Sequence, residues 1–377
     1  MRKLLIFTAE YTGHGHKSIS DALMERLRVY DDIEIKCIDG FDLMDKVMKA
    51  CAEKTYGPIT RMPGRAWEWN YAAGLKLKQP VQYAVRTMIR ARFQKLIEEF
   101  RPDCILSVHP IFIGTVLDLL ESMHLDIPVV AHEADLVDIP PLWFDKRLSL
   151  ILAPSEEARE CSLRYGMDPE RVITVGFPVR SRFMGLRDQG RTNPDGALTI
   201  TVMSGSEGSG SLKMVVKQLL EGTDAHVNVI CGRNKSLRKK LREAFARKFY
   251  GRINIFGFVD EIQKIMMDSD VLVLRASPNS VMEAVALNKP VILFGQLAGQ
   301  ELHNPDMVEK HGLGVYCPNP EQLPECIREL SANGREKIEK MRAAQRAYAP
   351  GDAAADTAKL LNEYIKPYQW EIKANRE

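Results

Sequence analysis

The residues with the clearest chemical potential lie in the last third of the 377-residue chain. Ser277 precedes a predicted short helix, where cap residues leave backbone N–H groups and the positive end of the helix dipole facing a ligand, typically an anion. Glu283 follows in the first turn of this helix, and Gln300, Glu301 and Asn304 follow the next predicted strand. An anion site, a carboxylate that can accept two hydroxyl protons and an amide–carboxylate pair together indicate a nucleotide sugar.

These residues need a strand-helix-strand unit to position them. The apolar runs Val271–Leu274 and Pro290–Phe294 predict two buried parallel strands on either side of the short helix. The polar groups then follow the carboxyl ends of both strands. In parallel sheets this edge forms the ligand crevice.

The spacing from Glu283 through Lys289-Pro290 to Gly299-Gln300-Glu301 and Asn304 resembles the donor site of a known glycosyltransferase family. This family contains the monogalactosyldiacylglycerol synthases, the processive diacylglycerol glucosyltransferases and the peptidoglycan transferase MurG. The resemblance implies that Glu283 binds the ribose of UDP and that Gln300 and Glu301 face the sugar. One departure is that Pro278-Asn279 stands where the family usually has Gly-Gly.

A polar loop, Tyr11–Ser18, separates the first predicted strand, Lys3–Ala9, from a predicted helix over Ile19–Val29. Its glycines allow the backbone to approach a ligand, and Ser18 is expected to cap the helix. His16 is suited to accept or orient a hydroxyl proton near neutral pH. One alternative is that His16 only hydrogen-bonds the loop. A metal-binding role is disfavoured, because His14 and His16 are spaced i, i+2. The family's loop histidine matches His16, with Gly15 beside it on the acceptor side.

Further candidates follow two other predicted strands of the first half. His109 follows Asp103–Val108, while Glu133 and Asp135 follow Ile127–Ala131. Carboxyl ends of parallel strands converge, so these side chains are expected to meet His16 in one pocket, although Glu133 and His109 could equally serve to hydrogen-bond loop ends.

Glycosyl transfer to an alcohol needs a base that takes the acceptor proton, and Asp135 is the first candidate. The family motif Thr-Asp-Leu, with a tryptophan eight residues after the Asp, resembles Ala134-Asp135-Leu136 and Trp143, with Ala in place of the usual Thr.

A second series of strands and helices begins at Leu198–Met203. The next segment, Ser204–Ser211, is small and polar and precedes a predicted helix, so it is expected to form an anion-binding turn, whereas a flexible linker of this composition is disfavoured between a strand and a helix. The resemblance implies that this loop approaches the donor phosphates and that Phe258 and Val259 flank the uracil. The complete predicted donor set is Ser206, Gly208, Ser209, Gly232, Arg233, Asn234, Phe258, Val259, Arg275, Asn279, Ser280, Glu283, Gln300 and Glu301.

Residues 46–95 are strongly basic, with eleven Lys/Arg against two acidic residues, which leaves the rest of the chain at a net charge of about −7. Trp67 and Trp69 lie among the cations Arg61 and Arg65. Aromatic rings interleaved with cations favour an anionic membrane surface, and the family has a comparable insertion that contacts lipid. Nucleic acid would need the same charges and is not expected, and a solvated face packed on its own domain is the structural alternative.

Composition narrows the class of protein. Hydrophobic residues make up 45% and charged residues 27% of the chain, and no apolar run of about 18 residues predicts a membrane span. Seven cysteines without a CxxC pair indicate reduced thiols in the cytosol. Asp268-Ser269-Asp270 has a metal-binding pattern, but it precedes a predicted strand and is interpreted as a solvated turn. No metal or other cofactor is expected.

The sequence therefore predicts an α/β protein with the GT-B fold, in which two Rossmann-like doubly wound domains face a cleft. The expected domains are residues 1–184 for acceptor and membrane binding, 197–348 for UDP-sugar binding, and 349–377 as a C-terminal helix that returns to the first domain. By resemblance, the expected activity is an inverting transfer of a hexose from a UDP-sugar to a membrane lipid alcohol, above all diacylglycerol. The expected location is cytoplasmic, peripheral on the inner face of the cell membrane.

Three alternatives stay open. A polyprenyl-linked acceptor would change only the pocket of the first domain. A UDP-sugar 2-epimerase shares the architecture but has no need of the basic aromatic segment. A non-catalytic lipid-binding protein would bind membranes without any transfer.

Overall fold

The computed structural model describes residues 1–10, 14–45, 78–189, 196–204, 212–297 and 299–370. These residues form two six-stranded sheets, and every strand pair in both sheets is parallel. The two sheets follow one another in the chain. Each sheet with its helices is called a half below.

The first sheet has the strand order β2-β1-β3-β4-β5-β6. Its strands are β1 (Arg2–Thr8), β2 (Ile33–Asp39), β3 (Cys104–Ser107), β4 (Val129–His132), β5 (Leu150–Ala153) and β6 (Val172–Thr174). Because β2 and β3 lie on opposite sides of β1, the chain reverses direction across the sheet there. This is the position at which doubly wound sheets open a ligand crevice.

Five α-helices accompany this sheet in the described part of the chain. They are α1 (His14–Leu27), α2 (Lys78–Phe100), α3 (Pro110–Ser122), α4 (Glu156–Arg164) and α5 (Ser181–Met184). Helix α1 begins five residues before its predicted start at Ile19, so the prediction that Ser18 caps it is wrong. Ser18 lies buried inside the helix, where the contact of His16 with the end of β3 fixes the first turn.

The second sheet has the order β12-β11-β10-β7-β8-β9, with the corresponding crevice between β7 and β10. Its strands are β7 (Thr199–Met203), β8 (His226–Ile230), β9 (Ile253–Phe256), β10 (Val271–Arg275), β11 (Val291–Gly295) and β12 (Gly314–Tyr316). Its helices are α6 (Leu212–Gly222), α7 (Lys235–Leu241), α8 (Ile262–Met267), α9 (Pro278–Ala286), α10 (Asn304–Lys310), α11 (Leu323–Ser331) and α12 (Glu336–Tyr348).

The second sheet separates two apolar clusters, which explains how the halves are held together. Leu272 and Leu274 point to one face and belong to the same continuous cluster as the core of the first half. Val271 and Val273 point to the other face and belong to a separate cluster under α6 and α11. This alternation is the period of two of a strand buried on both faces. One hydrophobic core therefore spans both halves.

The last helix, α13 (Ala353–Tyr364), packs against α1 of the first half. Asp352 caps α13 by accepting a hydrogen bond from Ala355 N, and its second oxygen accepts one from Arg26 Nε at 2.7 Å. Gly176 lies against the start of α13 and has a φ of +79°. A Cβ at this position would lie 2.9 Å from the Ala353 side chain. Only glycine suits both the backbone conformation and the space.

None of the helices in the described ranges is both long and apolar enough to cross a bilayer.

Replacement of Asp352 separates the two ways in which it anchors α13. Asp352→Ala removes both the cap and the ion pair with Arg26, and we expect a loss of roughly 1–2 kcal/mol in the free energy of unfolding. Asp352→Asn keeps a capping oxygen and loses only the ion pair, so we expect less than half of that loss. Urea unfolding of both variants measures the difference. Equal losses in the two variants would show that the cap contributes nothing.

Candidate active site

The carboxyl edges of the two sheets face each other. Gly15 of the first half lies close to Asn279 of the second half. A Cβ on Gly15, in the first turn of α1, would lie 2.8 Å from the Asn279 side-chain nitrogen. Asn279 and Ser280, both half-buried, lie in the first turn of α9, next to Ser277. The predicted anion-binding region and the predicted acceptor region thus meet across one cleft.

His16 is held at the bottom of this cleft. Its Nδ1 lies 2.7 Å from Val108 O, and because a carbonyl only accepts, Nδ1 carries the proton and Nε2 is an acceptor. Burial lowers the pKa of His16 to about 4, and the bond to Val108 offsets part of that decrease. His16 is therefore neutral near pH 7, with a lone pair able to accept a hydrogen bond from a hydroxyl group.

His109 lies beside His16, with ring centroids 4.5 Å apart. It caps α3, since its Nδ1 accepts a hydrogen bond from Ile111 N at 3.3 Å. Burial, and secondarily the proximity of His16, hold the pKa of His109 well below its ordinary value. His109 is a neutral packing partner that forms one wall around His16.

Asp135 follows β4 and is 8% exposed. Burial raises the pKa of Asp135 to about 7, and the nearby carboxylates of Glu301 and Asp138 add to this rise. The indole N–H of Trp143 lies near the carboxyl group and lowers its pKa, although the pair lacks standard hydrogen-bond geometry. Since Glu301 belongs to the second half, Asp135 lies where the two halves meet.

Glu133 has the structural role that was the alternative for it, a hydrogen bond to a neighbouring element. It is fully buried, and its Oε1 accepts a hydrogen bond from Ser162 of α4 at 2.7 Å. Burial raises the pKa of Glu133 to about 8. The nearby charge of Asp135 adds to this rise.

Glu283 lies in the second turn of α9, rather than in the first turn as predicted, because the helix already begins at Pro278. Its Oε1 accepts a hydrogen bond from Arg180 Nη2 at 2.6 Å, across the two halves. Burial raises the pKa of Glu283, and the Arg180 guanidinium opposes that rise. The residue predicted to bind ribose is thus fixed by a cation from the first half.

Glu301 is buried with both oxygens occupied. Oε1 pairs with Arg275 Nη2 at 3.1 Å and Oε2 accepts a hydrogen bond from Leu297 N at 2.7 Å. Glu301 therefore shapes the loop after β11, and half-buried Gln300 lies beside it at the cleft. Asn304 donates to Ala276 O at 2.8 Å, while its buried Oδ1 has no hydrogen-bond partner.

The residues of the predicted donor set that include the uracil-flanking pair Phe258 and Val259 lie at the ends of β8 and β9. Gly232 has a φ of +55°, and the Arg233 guanidinium lies 5.1 Å from the ring centroid of Phe258, which is 52% exposed. Asn234 caps α7 by accepting a hydrogen bond from Leu237 N. Val259 packs against the core.

Several predicted residues lie outside the described ranges. These are Ser206, Gly208 and Ser209 of the donor set, and Trp67, Trp69, Arg61 and Arg65 of the acceptor and membrane set. Asp270, from the discounted metal pattern, accepts a hydrogen bond from Thr199 N and pairs with Arg335. The described residues contain no cluster of His, Cys, Asp or Glu fit to hold a metal ion.

Two sets of residues that shape the cleft are not among those predicted from the sequence. Arg180 ends the string Gly176-Phe177-Pro178-Val179-Arg180. Its position shortly before the segment that connects the two halves was the signal from which it could have been found. His303 and His311 flank α10 and contact carboxylates of the first half. His303 bonds Asp138 at 2.7 Å, and His311 bonds Glu157 at 2.8 Å. Sequence spacing gives no indication of these long-range pairs.

Two family models cover most of the chain. The monogalactosyldiacylglycerol (MGDG) synthase model matches residues 16–179, and the glycosyltransferase family 28 C-terminal domain model matches residues 199–360. Among curated relatives, monogalactosyldiacylglycerol synthase 2 of Arabidopsis thaliana is 26% identical over 96% of this chain and 81% of its own length. The probable synthase 2 of Oryza sativa subsp. japonica is 29% identical over 85% and 72%.

Solved structures share the fold. MurG of Acinetobacter baumannii superposes with a TM-score of 0.63 at 13% identity, covering 96% of this chain and 100% of that one. The UDP-GlcNAc 2-epimerase of Neisseria meningitidis gives 0.64 at 16% identity, with the same coverage. The predicted GT-B fold and the predicted family resemblance are confirmed.

The raised pKa of Asp135 predicts how the stability of the protein depends on pH. A carboxyl group with a pKa of about 7 in the folded state and about 3.9 in the unfolded state favours folding when protonated, and this contribution is lost as pH rises from about 4 to 7. Asp135→Asn removes the titration, so we expect its free energy of unfolding, relative to the wild type, to increase by roughly 2–4 kcal/mol between pH 4 and pH 8. Urea unfolding across this range tests it.

The matched control for this measurement is Asp168→Asn, which changes an exposed carboxylate that caps a short turn. Its stability relative to the wild type across the same pH range gives the baseline against which the change in Asp135→Asn is read. If Asp135→Asn behaved like this control, Asp135 would not be buried as described.

Proposed function

We propose that this chain, a glycosyltransferase whose two halves match the MGDG synthase model and the glycosyltransferase family 28 C-terminal domain model, transfers a hexose, with inversion, from a UDP-sugar to diacylglycerol. The observation that carries the proposal is the position of Asp135. A buried carboxyl group with a pKa of about 7 lies at the end of β4 and beside Glu301 of the opposite half. A general base is most effective when its pKa is close to the working pH.

In the proposed reaction Asp135 accepts the proton of the acceptor hydroxyl. The hydroxyl oxygen forms a bond to the anomeric carbon while the bond from that carbon to the UDP oxygen breaks. A single displacement of this kind inverts the configuration of the sugar. His16, neutral and with Nε2 free of the proton, orients the hydroxyl group from the neighbouring end of β1.

The negative charge that develops on UDP needs stabilisation. The first turn of α9 presents backbone N–H groups at the cleft, and the hydroxyl group of its cap residue, Ser277, makes no hydrogen bond to them. Preorganised N–H donors and the helix dipole stabilise such a charge at the moment it forms. In this proposal the transfer requires no metal ion.

The lipid acceptor is proposed from the relatives, which are named as monogalactosyldiacylglycerol synthases. The basic aromatic segment within residues 46–95 supports a contact with anionic lipid, which would hold the protein peripherally on the cytoplasmic face of the cell membrane. Glu283, Gln300 and Glu301 are proposed to bind the donor.

The test supplies radiolabelled UDP-glucose, UDP-galactose or UDP-GlcNAc to vesicles that contain diacylglycerol and an anionic phospholipid. Label that enters the organic phase only with diacylglycerol supports the proposal. Label that enters only when a polyprenyl phosphate replaces diacylglycerol would show a different acceptor. Label that stays in a water-soluble UDP-sugar with an altered sugar would indicate an epimerase.

Asp135→Asn tests the base. Removal of a general base typically lowers the rate by 10²–10⁴-fold, and we expect a fall in kcat of this size with little change in the KM for the UDP-sugar. Because the base acts only when ionised, wild-type activity should rise with pH, about tenfold per unit below pH 7, and level off above it. Asp168→Asn is the control variant. A folded Asp135→Asn protein with unchanged kcat would exclude the role.

A further inference from the structure

A cavity of about 300 Å³ lies between the two halves, beside the segment that connects α12 to α13. Its wall has three sides. The carboxyl ends of β5 and β6, with Met184 of α5, contribute one side, and α9 contributes a second. Residues 348–351, with Ala353 and Asp356 of α13, contribute the third. The cavity lies outside the candidate active site, and none of the side chains to which a catalytic or donor-binding role is assigned lines it.

The body of the cavity is apolar. Its wall includes Phe177, Val179 and Met282, all less than 9% exposed, together with half-buried Tyr348. An engineered apolar cavity of roughly 150 Å³ binds benzene, so a volume about twice as large accommodates a bicyclic aromatic group or a chain of about eight carbons. Size and lining thus indicate a small apolar ligand.

The polar groups of the wall restrict the chemistry of that ligand. Thr174 contributes a hydroxyl whose oxygen is buried and has no hydrogen-bond partner. Two carboxylates, Glu156 and Asp356, are exposed at the rim, and none of the described residues that line the wall is Lys, Arg or His. A carboxylate ligand would therefore meet charges of its own sign, whereas an ammonium group would be attracted. Thr174 offers the unpaired hydrogen-bonding group that a polar end of a ligand needs.

We propose that this cavity binds a small apolar molecule that carries an amine, and that its occupancy affects donor binding. Val179 and Met282, in the wall, immediately precede Arg180 and Glu283, which form the ion pair between the halves. A ligand packed against both side chains fixes the two backbones that carry this pair. The second part of the inference rests on the proposed function, because it assigns Glu283 to the nucleotide, while the first part does not.

The experiment titrates three eight-carbon probes into the full-length protein by calorimetry. Octylamine, 1-octanol and octanoate each contain eight carbons in a straight chain, and their polar ends are positively charged, neutral and negatively charged, respectively. We expect saturable binding of octylamine with one site per chain, at least tenfold tighter than binding of octanoate, with octanol between them. Equal affinity for octylamine and octanoate, or no saturable binding of octylamine, would overturn the proposal.

Variants show whether binding occurs in this cavity or elsewhere on the protein. Ala349→Phe and Ala286→Met each add side-chain volume at the wall from a different element, so a folding defect in one leaves the other as a test. Both are expected to weaken octylamine binding at least tenfold. The double change Glu156→Gln with Asp356→Asn should keep octanol binding and bring the octylamine affinity close to that of octanol. Unchanged octylamine binding in both filled variants would exclude the cavity.

The coupling to the donor is measured by titrating UDP with and without saturating octylamine. We expect at least a threefold change in UDP affinity in the wild type and none in Ala349→Phe. Unchanged UDP affinity in the octylamine-saturated wild type would overturn the coupling. Specific octylamine binding in a protein that transfers no sugar to any lipid would support the cavity site and count against the proposed function alone.

Discussion

The burial of carboxyl groups where the two halves meet is the constraint on which the site depends. Glu283 and Glu301 are both less than 9% exposed, and each has an arginine within ion-pair distance. Asp135 is equally buried, but none of the ion pairs in the described part of the chain includes it. Removing a carboxylate from water without a cation favours its protonated form. The environments of these chemically similar groups therefore differ: guanidinium groups hold Glu283 and Glu301 in place, and in the proposed reaction the unpaired Asp135 exchanges a proton.

This arrangement requires the halves to stay together, and two kinds of contact provide that. One hydrophobic cluster runs from the first sheet to the near face of the second, so separation of the halves would expose apolar side chains to water. Polar contacts then set the register between the halves. His303 bonds Asp138 and His311 bonds Glu157, at opposite ends of the seven-residue helix α10. The loop after β11 is thus held against the loop that carries Asp135.

Much of the fold could be predicted from the sequence, because strands and helices buried in this architecture have strong local patterns. The predicted strands Leu198–Met203 and Val271–Leu274 differ from β7 and β10 by a single residue at one end. The start of α1 was wrong because a distant carbonyl, Val108 O, stabilises its first turn. The hydrogen bond of Glu133 to Ser162 could not be predicted from spacing, since its partner lies 29 residues away in α4.

Partners distant in the sequence were equally inaccessible to sequence reasoning. Arg275 reaches Glu301 from a strand end at which the register shifts between Leu274 and Arg275, and a single sequence contains no signal for such an irregularity. The candidate site was therefore predictable as a set of residue types at converging strand ends. Which oxygens are occupied and which remain open to a substrate depended on contacts between the halves.

The same dependence links base strength to closure of the cleft. Burial is the main cause of the raised pKa of Asp135, and the charge of Glu301, contributed by the second half, adds to it. Opening of the cleft would hydrate Asp135 and move Glu301 away, and both changes lower the pKa toward its ordinary value near 4. A carboxylate with a lower pKa is a weaker base. In the proposed reaction Asp135 therefore gains its full capacity to accept a proton only when the half that holds the sugar donor is in place, and no separate switch is needed to confine the chemistry to the closed enzyme.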